Sequence, residues 1–274
     1  MTLRIVRVWV AFALLAAAQL ASGHDYQTFD SDGCQIAYTD YGSGEPVIFL
    51  HGFSGNFDQY LGPVGDALSQ QFRAIGLDQR GHGRSCKPHD ADAYGRHFAG
   101  DVLNLMDRLH IAKAHVVGHS MGGIVAMYLA ANYPARVQSA VTVGNGLFSR
   151  RELTLIGWLM RGSFAWRHVK EFFGAADDNR PPGNDDVALI LAVRSLRDLA
   201  VTNAQAAALK VPVLAVRGGP KDDPNDTVER LSAINPNVEM LRLEPEDHIS
   251  TLANAKFRQE LKSFLERRSV RAGS

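Results

Sequence analysis

Gly118-His119-Ser120-Met121-Gly122 is the stretch whose reading decides how this chain folds. Before it runs the apolar, β-type segment Ala114-His115-Val116-Val117, and after it the unbroken helix-type run Gly123 to Ala131. A strand that passes at once into a helix must reverse within a few residues. The central residue then takes a strained backbone, and positions two away have room for little beyond a hydrogen. Gly118 and Gly122 meet that demand, with Gly123 as further relief. Ser120 is expected to stand exposed on the turn at a helix N-terminus, where the dipole favours developing negative charge. A small-residue crossover packed on a sheet would carry the same glycines. The rest of a proton relay separates the two readings.

Outward from this turn, strand-type and helix-type runs alternate. Asp32-Gly33 reads as a hairpin turn with Gln35 to Tyr41 returning as a strand. Pro46 to Leu50 is wholly apolar, as in a strand buried on both faces of a parallel sheet. Helices are expected over Phe57 to Gln70 and Ala91 to Leu109, and strands over Phe72 to Leu77 and Val137 to Val143. Later come the strand Val211 to Val216, the helix Thr227 to Ile234, the strand Val238 to Leu243 and a closing helix from Asn254 to Arg267. This alternation predicts an α/β fold, a mostly parallel central sheet with helices on both faces. Residues 24–147 and 211–274 form the two parts of that core. Between them, 148–210 lacks strand-type runs and holds Trp158, Phe164, Trp166, Phe172 and Phe173. The segment is expected to form a helical cap, its aromatics either anchoring it to the core or facing a substrate pocket.

The 274 residues are 46% hydrophobic and 21% charged, with 29 basic and 29 acidic side chains. That balance gives no net attraction to nucleic acid or an anionic membrane. Residues 1–23 differ from the rest. Arg4 and Arg7 precede an apolar stretch from Val8 to Ala18, and small residues lead to Gly23, the pattern of a cleaved secretory signal. The stretch falls short of the ~20 residues of a spanning helix. The mature chain is thus expected to start near His24, to be periplasmic or secreted, and to have no stable membrane insertion; retention as an anchor is the alternative. Two cysteines, Cys34 and Cys86, could bridge in an oxidising compartment. A domain this large needs no disulfide, and an edge hairpin and a loop after a central strand are not an obvious pair.

An acyl-transfer serine needs a base, an acid to hold the base's tautomer, and two donors where the oxyanion forms. His51-Gly52-Phe53-Ser54-Gly55 follows directly on the buried strand ending at Leu50. There Gly52 permits a turn that points the Phe53 N–H at a ligand, and the Met121 N–H is the second donor. Of ten histidines, His248 stands apart, in Glu244-Pro245-Glu246-Asp247-His248 between the last strand and last helix, at the carboxyl edge where sites in open α/β sheets gather. His24, His89, His97, His110 and His168 read as solvated, His115 as packed, and His119 as pointing away across the turn. For the acid, Asp222 and Asp223 compete in the loop after Val216. Asp222 is preferred, but the spacing does not separate them.

His51-Gly52, Asp78-Gln79-Arg80-Gly81-His82-Gly83-Arg84-Ser85, the Ser120 pentapeptide and the late Asp-His pair together resemble the α/β-hydrolase superfamily. The resemblance spans nearly the whole mature chain except 148–210, where that superfamily places its cap. It implies a serine-nucleophile esterase-like member: Ser120 nucleophile, His248 base, Asp222 acid, Phe53 and Met121 N–H groups as oxyanion hole. It implies no cofactor and no metal, and gives residues 78–85 no catalytic role. A serine nucleophile argues against the dehalogenases and epoxide hydrolases of the superfamily, which carry aspartate there. A carboxylic ester of a small to medium, apolar substrate is the expected target. Lactone, thioester and C–C bond hydrolysis, a cofactor-free peroxidase side activity, or ligand binding on an inactive scaffold are the alternatives.

Overall fold

The computed structural model describes residues 24–160, 185–220, 222–223 and 225–269. The leader 1–23 and the segment 161–184, with Phe164, Trp166, His168, Phe172 and Phe173, lie outside these. Eight strands form one sheet: β1 (Gln27–Ser31), β2 (Cys34–Gly42), β3 (Glu45–Leu50), β4 (Phe72–Leu77), β5 (Ala114–His119), β6 (Val137–Val143), β7 (Val213–Arg217) and β8 (Glu239–Arg242). Their spatial order is β1-β2-β4-β3-β5-β6-β7-β8. The β1–β2 hairpin is antiparallel and joins antiparallel to β4, while all pairings from β4 to β8 are parallel. Asp32 and Gly33 both take positive φ, the geometry of a two-residue hairpin turn.

Strand β3 shows why the sheet is covered on both sides. Val47, Ile48, Phe49 and Leu50 are all inaccessible to solvent. Ile48 and Leu50 pack into one apolar core, Val47 and Phe49 into the other, as the two-residue period of a strand requires. The helix after Ser120, α4 (Met121–Asn132), is buried without interruption from Met121 to Ala130. A helix apolar all round belongs in an interior, and this one is sealed between sheet and neighbouring helices.

Two expected helices are shorter than their sequence pattern. The first splits into α1 (Phe57–Tyr60) and α2 (Gly62–Leu68), because Gly62-Pro63 begins a new helix instead of continuing one. The second keeps only a 3₁₀ turn at Ala91–Ala93, and α3 (His97–Arg108) starts after Gly95, whose φ of +65° leaves the helical region. In the described part of 148–210 the regular structure is helical: α5 (Arg150–Leu159), α6 (Asp186–Ser195), a 3₁₀ turn at Leu196–Leu199 and α7 (Asn203–Ala207). Ser149 and Glu152 cap α5 reciprocally, and Glu152 also receives a 2.8 Å bond from Arg230 on α8 (Thr227–Ile234), which pins the segment to the core. Trp158 is 53% exposed. The chain closes with α9 (Ser250–Ala253) and α10 (Ala255–Arg268).

Cys34 and Cys86 are joined by a disulfide, their Cα atoms 5.6 Å apart. The unbridged expectation is corrected. The loop after β4 folds back along β2, where the Cys86 N–H donates to the Gln35 carbonyl at 2.9 Å, so two segments distant in sequence become neighbours.

Candidate active site

Strand order locates the site before any side chain is considered. After β3 the chain adds β4 on one side and β5 on the other, and the connections diverge at the carboxyl ends of β3 and β5. Crevices in open α/β sheets open at such a switch. The register pairs Leu50 with Gly118, His119 with Val143, and Val143 with Val216. The loops carrying His51, Ser120, Gly144 and Gly218 therefore leave the sheet side by side.

Ser120 has φ 52° and ψ −116°, conformational strain reserved for turns held by their surroundings. The restraints are visible. Its N–H donates to the Val143 carbonyl at 2.8 Å, and its carbonyl accepts from Gly123 N–H at 2.8 Å and from Asn145 Nδ2 at 2.5 Å. A β-carbon on Gly118 would strike the backbone of Gly122, and one on Gly122 would strike Leu50. Ser120 is half-buried rather than open to solvent. Met121 begins α4, so its N–H lies among the helix-start donors with no acceptor inside the helix.

On the oxyanion side, His51 is completely buried and fixed at both ring nitrogens. Gln79 N–H donates to Nε2 at 2.9 Å, so the proton sits on Nδ1, which donates to the Gly52 carbonyl at 2.7 Å. Gly55 N–H adds a second bond to that carbonyl at 3.2 Å. A trans peptide sets the Phe53 N–H antiparallel to the Gly52 carbonyl, so His51 fixes the direction in which Phe53 donates. Gly52 borders the nucleophile: a β-carbon there would lie 3.3 Å from that of Ser120. Burial pushes the His51 ring down to about 4, and burial with the neighbouring His51 pushes His82 down to about 3. Both stay neutral behind the loop, the His82 ring edge-on to Phe53 at 5.8 Å.

On the relay side, the Asp222 carboxylate is wholly buried and accepts the His248 Nδ1 proton at 2.6 Å and the Gly218 N–H at 2.5 Å. The adjacent Asp223 turns the other way, taking Thr227 Oγ1 at 2.9 Å and Val228 N–H at 2.8 Å. It caps α8, whose own N-cap residue Asp226 makes no capping bond. With Nδ1–H directed at Asp222, the His248 Nε2 lone pair is the basic position. Gly144, at φ +76°, lies against this pair: a β-carbon there would come within 2.7 Å of the imidazole and 3.2 Å of Asp222. Two consecutive residues, Val143 and Gly144, thus lie against the Ser120 turn and the His248 ring.

Four residues escaped the sequence reading. Gly144 and Asn145 follow β6, and nothing in a lone Gly-Asn discloses a packing role. His119 does not simply point away. Its Nε2 donates to the His248 carbonyl at 2.8 Å, and the two rings lie 4.7 Å apart. His24, read as solvated, is half-buried between Asp58 at 2.7 Å and Asp66 at 2.9 Å. Among the described residues no group of three or more His, Cys, Asp or Glu side chains could hold a metal ion.

Comparison with known proteins agrees with this architecture. A family described as alpha/beta hydrolase fold matches residues 45–185. A non-heme chloroperoxidase of Kitasatospora aureofaciens is 30% identical over 276 residues, covering 86% of this chain and 98% of that one. The dihydrolipoyllysine-residue acetyltransferase component of the acetoin cleaving system of Cupriavidus necator is 44% identical over 119 residues, 43% of this chain but only 31% of the relative. The chain therefore spans about a third of that relative's length. Among solved structures, the enol-lactonase of Burkholderia xenovorans LB400 superimposes with a TM-score of 0.72 at 22% identity, covering 88% of this chain and 100% of the other.

Proposed function

Since the chain belongs to the α/β-hydrolase fold family, we propose that it is a serine hydrolase that cleaves carboxylic esters of small to medium, apolar substrates outside the cytoplasm. The observation that carries this reading is the buried Asp222–His248 pair, with the Val143–Gly144 backbone lying against both it and the strained Ser120 turn.

In the proposed cycle His248 Nε2 takes the Ser120 hydroxyl proton as the oxygen attacks the ester carbonyl. The oxyanion is held by the Phe53 and Met121 N–H groups, each such donor contributing about 3–4 kcal/mol in comparable enzymes. Asp222 stabilises the imidazolium, which then protonates the departing alkoxide. Water then attacks the Ser120 acyl ester as His248 takes its proton, the Ser120 Oγ–acyl bond breaks to release the acid, and His248 returns the proton to the Ser120 oxygen. The extracytoplasmic location is supported by the leader composition of residues 1–23 and by the Cys34–Cys86 bridge, since disulfides persist in oxidising compartments.

A fluorophosphonate should label the wild type at Ser120, and Ser120→Ala should lose both labelling and about 10⁴-fold or more of p-nitrophenyl acetate turnover. N-terminal sequencing of the exported, labelled protein should begin near His24. Full turnover in Ser120→Ala ends the proposal for the nucleophile, and exported protein starting at Met1 ends it for signal cleavage.

A further inference from the structure

We propose that His119, the residue before the nucleophile, is a positioning residue that fixes the general base. It ties the main chain of His248 to the nucleophile turn through the bond from its Nε2 to the His248 carbonyl, 2.8 Å long. The inference rests on the serine-hydrolase reading and deepens it.

The chemistry of the contact allows one protonation state. A carbonyl only accepts, so His119 Nε2 carries its proton and Nδ1 is a bare acceptor. That Nδ1 is buried with no hydrogen-bond partner among the described residues. It presses on Gly52, where a β-carbon would come within 2.8 Å. An unpaired buried nitrogen is unfavourable, a cost that the bond from the other nitrogen helps offset. His119 thus touches three parts of the site at once: it is bonded to Ser120, packed on the oxyanion loop, and hydrogen-bonded to the base.

The surroundings also keep His119 uncharged. Burial, with His248 and His51 nearby, holds it well below the ordinary histidine value, against the raising effect of the carbonyl bond. The other groups facing it are Tyr60, whose ring lies 5.5 Å away and whose phenol burial keeps protonated, and Asp222 through its bond to His248. A positive His119 ring 4.7 Å from His248 would repel the imidazolium that the reaction creates. A neutral one orients the base without penalising the proton it must accept.

The test uses the secreted protein with His119→Gln, His119→Asn and His119→Phe, active sites titrated with fluorophosphonate. Glutamine places its amide nitrogen near the position of Nε2, while asparagine is too short and phenylalanine has no donor. His119→Gln should stay within about 5-fold of wild-type kcat, whereas Asn and Phe lose about 10- to 100-fold with KM changed less than about 2-fold. The acid limb of kcat/KM should move to lower pH in Asn and Phe, because an imidazolium less well seated on Asp222 is less stable. Wild-type kcat and acid limb in Asn and Phe, or equal impairment of Gln and Asn, overturns the proposal. So does a loss of soluble protein with unchanged turnover per titrated site, the mark of a purely structural role. If Phe fails to fold, the Gln and Asn pair decides alone. Labelling of wild type at Ser120 preserves the serine-hydrolase reading through any of these outcomes; its absence, with Ser120→Ala fully active, removes that reading instead.

Discussion

The loops after β3 and β4 and the loops after β7 and β8 face each other across the nucleophile, and they are held in different ways. On the first side every turn is braced several times. His51 bonds to Gln79 and Gly52, and the Gln79 amide returns a 2.7 Å bond to the His51 carbonyl. Asp78 accepts from Phe57 N–H and Arg84 N–H, both at 2.9 Å, the buried Arg80 grips Asp101, and the disulfide closes the loop onto β2. On the second side many ties are local to one loop: Asp247 accepts from Ile249 N–H at 2.9 Å and Ser250 N–H at 2.7 Å, and Glu246 accepts from Asn254 Nδ2 at 2.8 Å. Gly219 N–H to the Glu246 carbonyl at 2.6 Å, Asp222 to His248 and His119 to the His248 carbonyl then join the segments. The difference follows from the work each side performs. Donors that stabilise an oxyanion act best when they need not reorganise. A base that takes and returns a proton needs correct aim, which Asp222 at the His248 ring and His119 at its carbonyl can supply.

Substitutions can break this contrast. The largest effect is expected within the acid loop, where two neighbouring aspartates have separate duties. Asp222→Asn should lower turnover by about 10⁴-fold, because an amide presents the wrong partner to Nδ1–H. Asp223→Asn should leave turnover within a few-fold and cost roughly 1 kcal/mol of stability by weakening the cap of α8. Kinetics and urea denaturation of both variants check this, and reversed outcomes would exchange the two roles.

A middle effect is expected from the brace. Cys34 and Cys86 are 52 residues apart, and in the chain-entropy account a loop of that length is worth about 4 kcal/mol at most. The double serine variant should therefore unfold at lower denaturant while its folded fraction hydrolyses ester within about 3-fold of wild type. A much larger fall in turnover per folded molecule would show that the other bonds of the oxyanion side are not redundant with the disulfide.

The smallest effect concerns His24. Burial opposes its charge, yet the bonds to Asp58 and Asp66 outweigh burial and raise its value above the ordinary ~6.5. A raised folded value favours the protonated form, so this stabilisation is full below the ordinary histidine range and fades as pH climbs through the raised value. The Tm gap between wild type and His24→Gln should be widest near pH 5–6 and close toward pH 9. A gap that is flat or grows with pH would remove the charge from the account.

What could be read from the chain without coordinates follows the same division. The Ser120 turn, the buried β3 and the loop at His51 are local patterns: glycine spacing, an apolar run, a turn directly after a strand. They specify themselves. Asp222 and Asp223 share one loop and one chemistry, and only the direction in which each side chain leaves the chain parts them. The disulfide depends on how the loop after β4 lies along β2, and His24 on where α1 and α2 place two carboxylates. Gly62-Pro63 and Gly95 were legible breakers hidden inside otherwise helical patterns. Long-range register, which no short window contains, accounts for the rest.

Gly144 has one more consequence. If the proposed acid were to be moved to another strand end, the end of β6 is the adjacent place to try. Here the imidazole already fills the space a side chain at 144 would need, and Asn145 is committed to the nucleophile's carbonyl. A carboxylate grafted at 144 would displace the His248 ring it was meant to serve, so sterics close that position to the proposed acid.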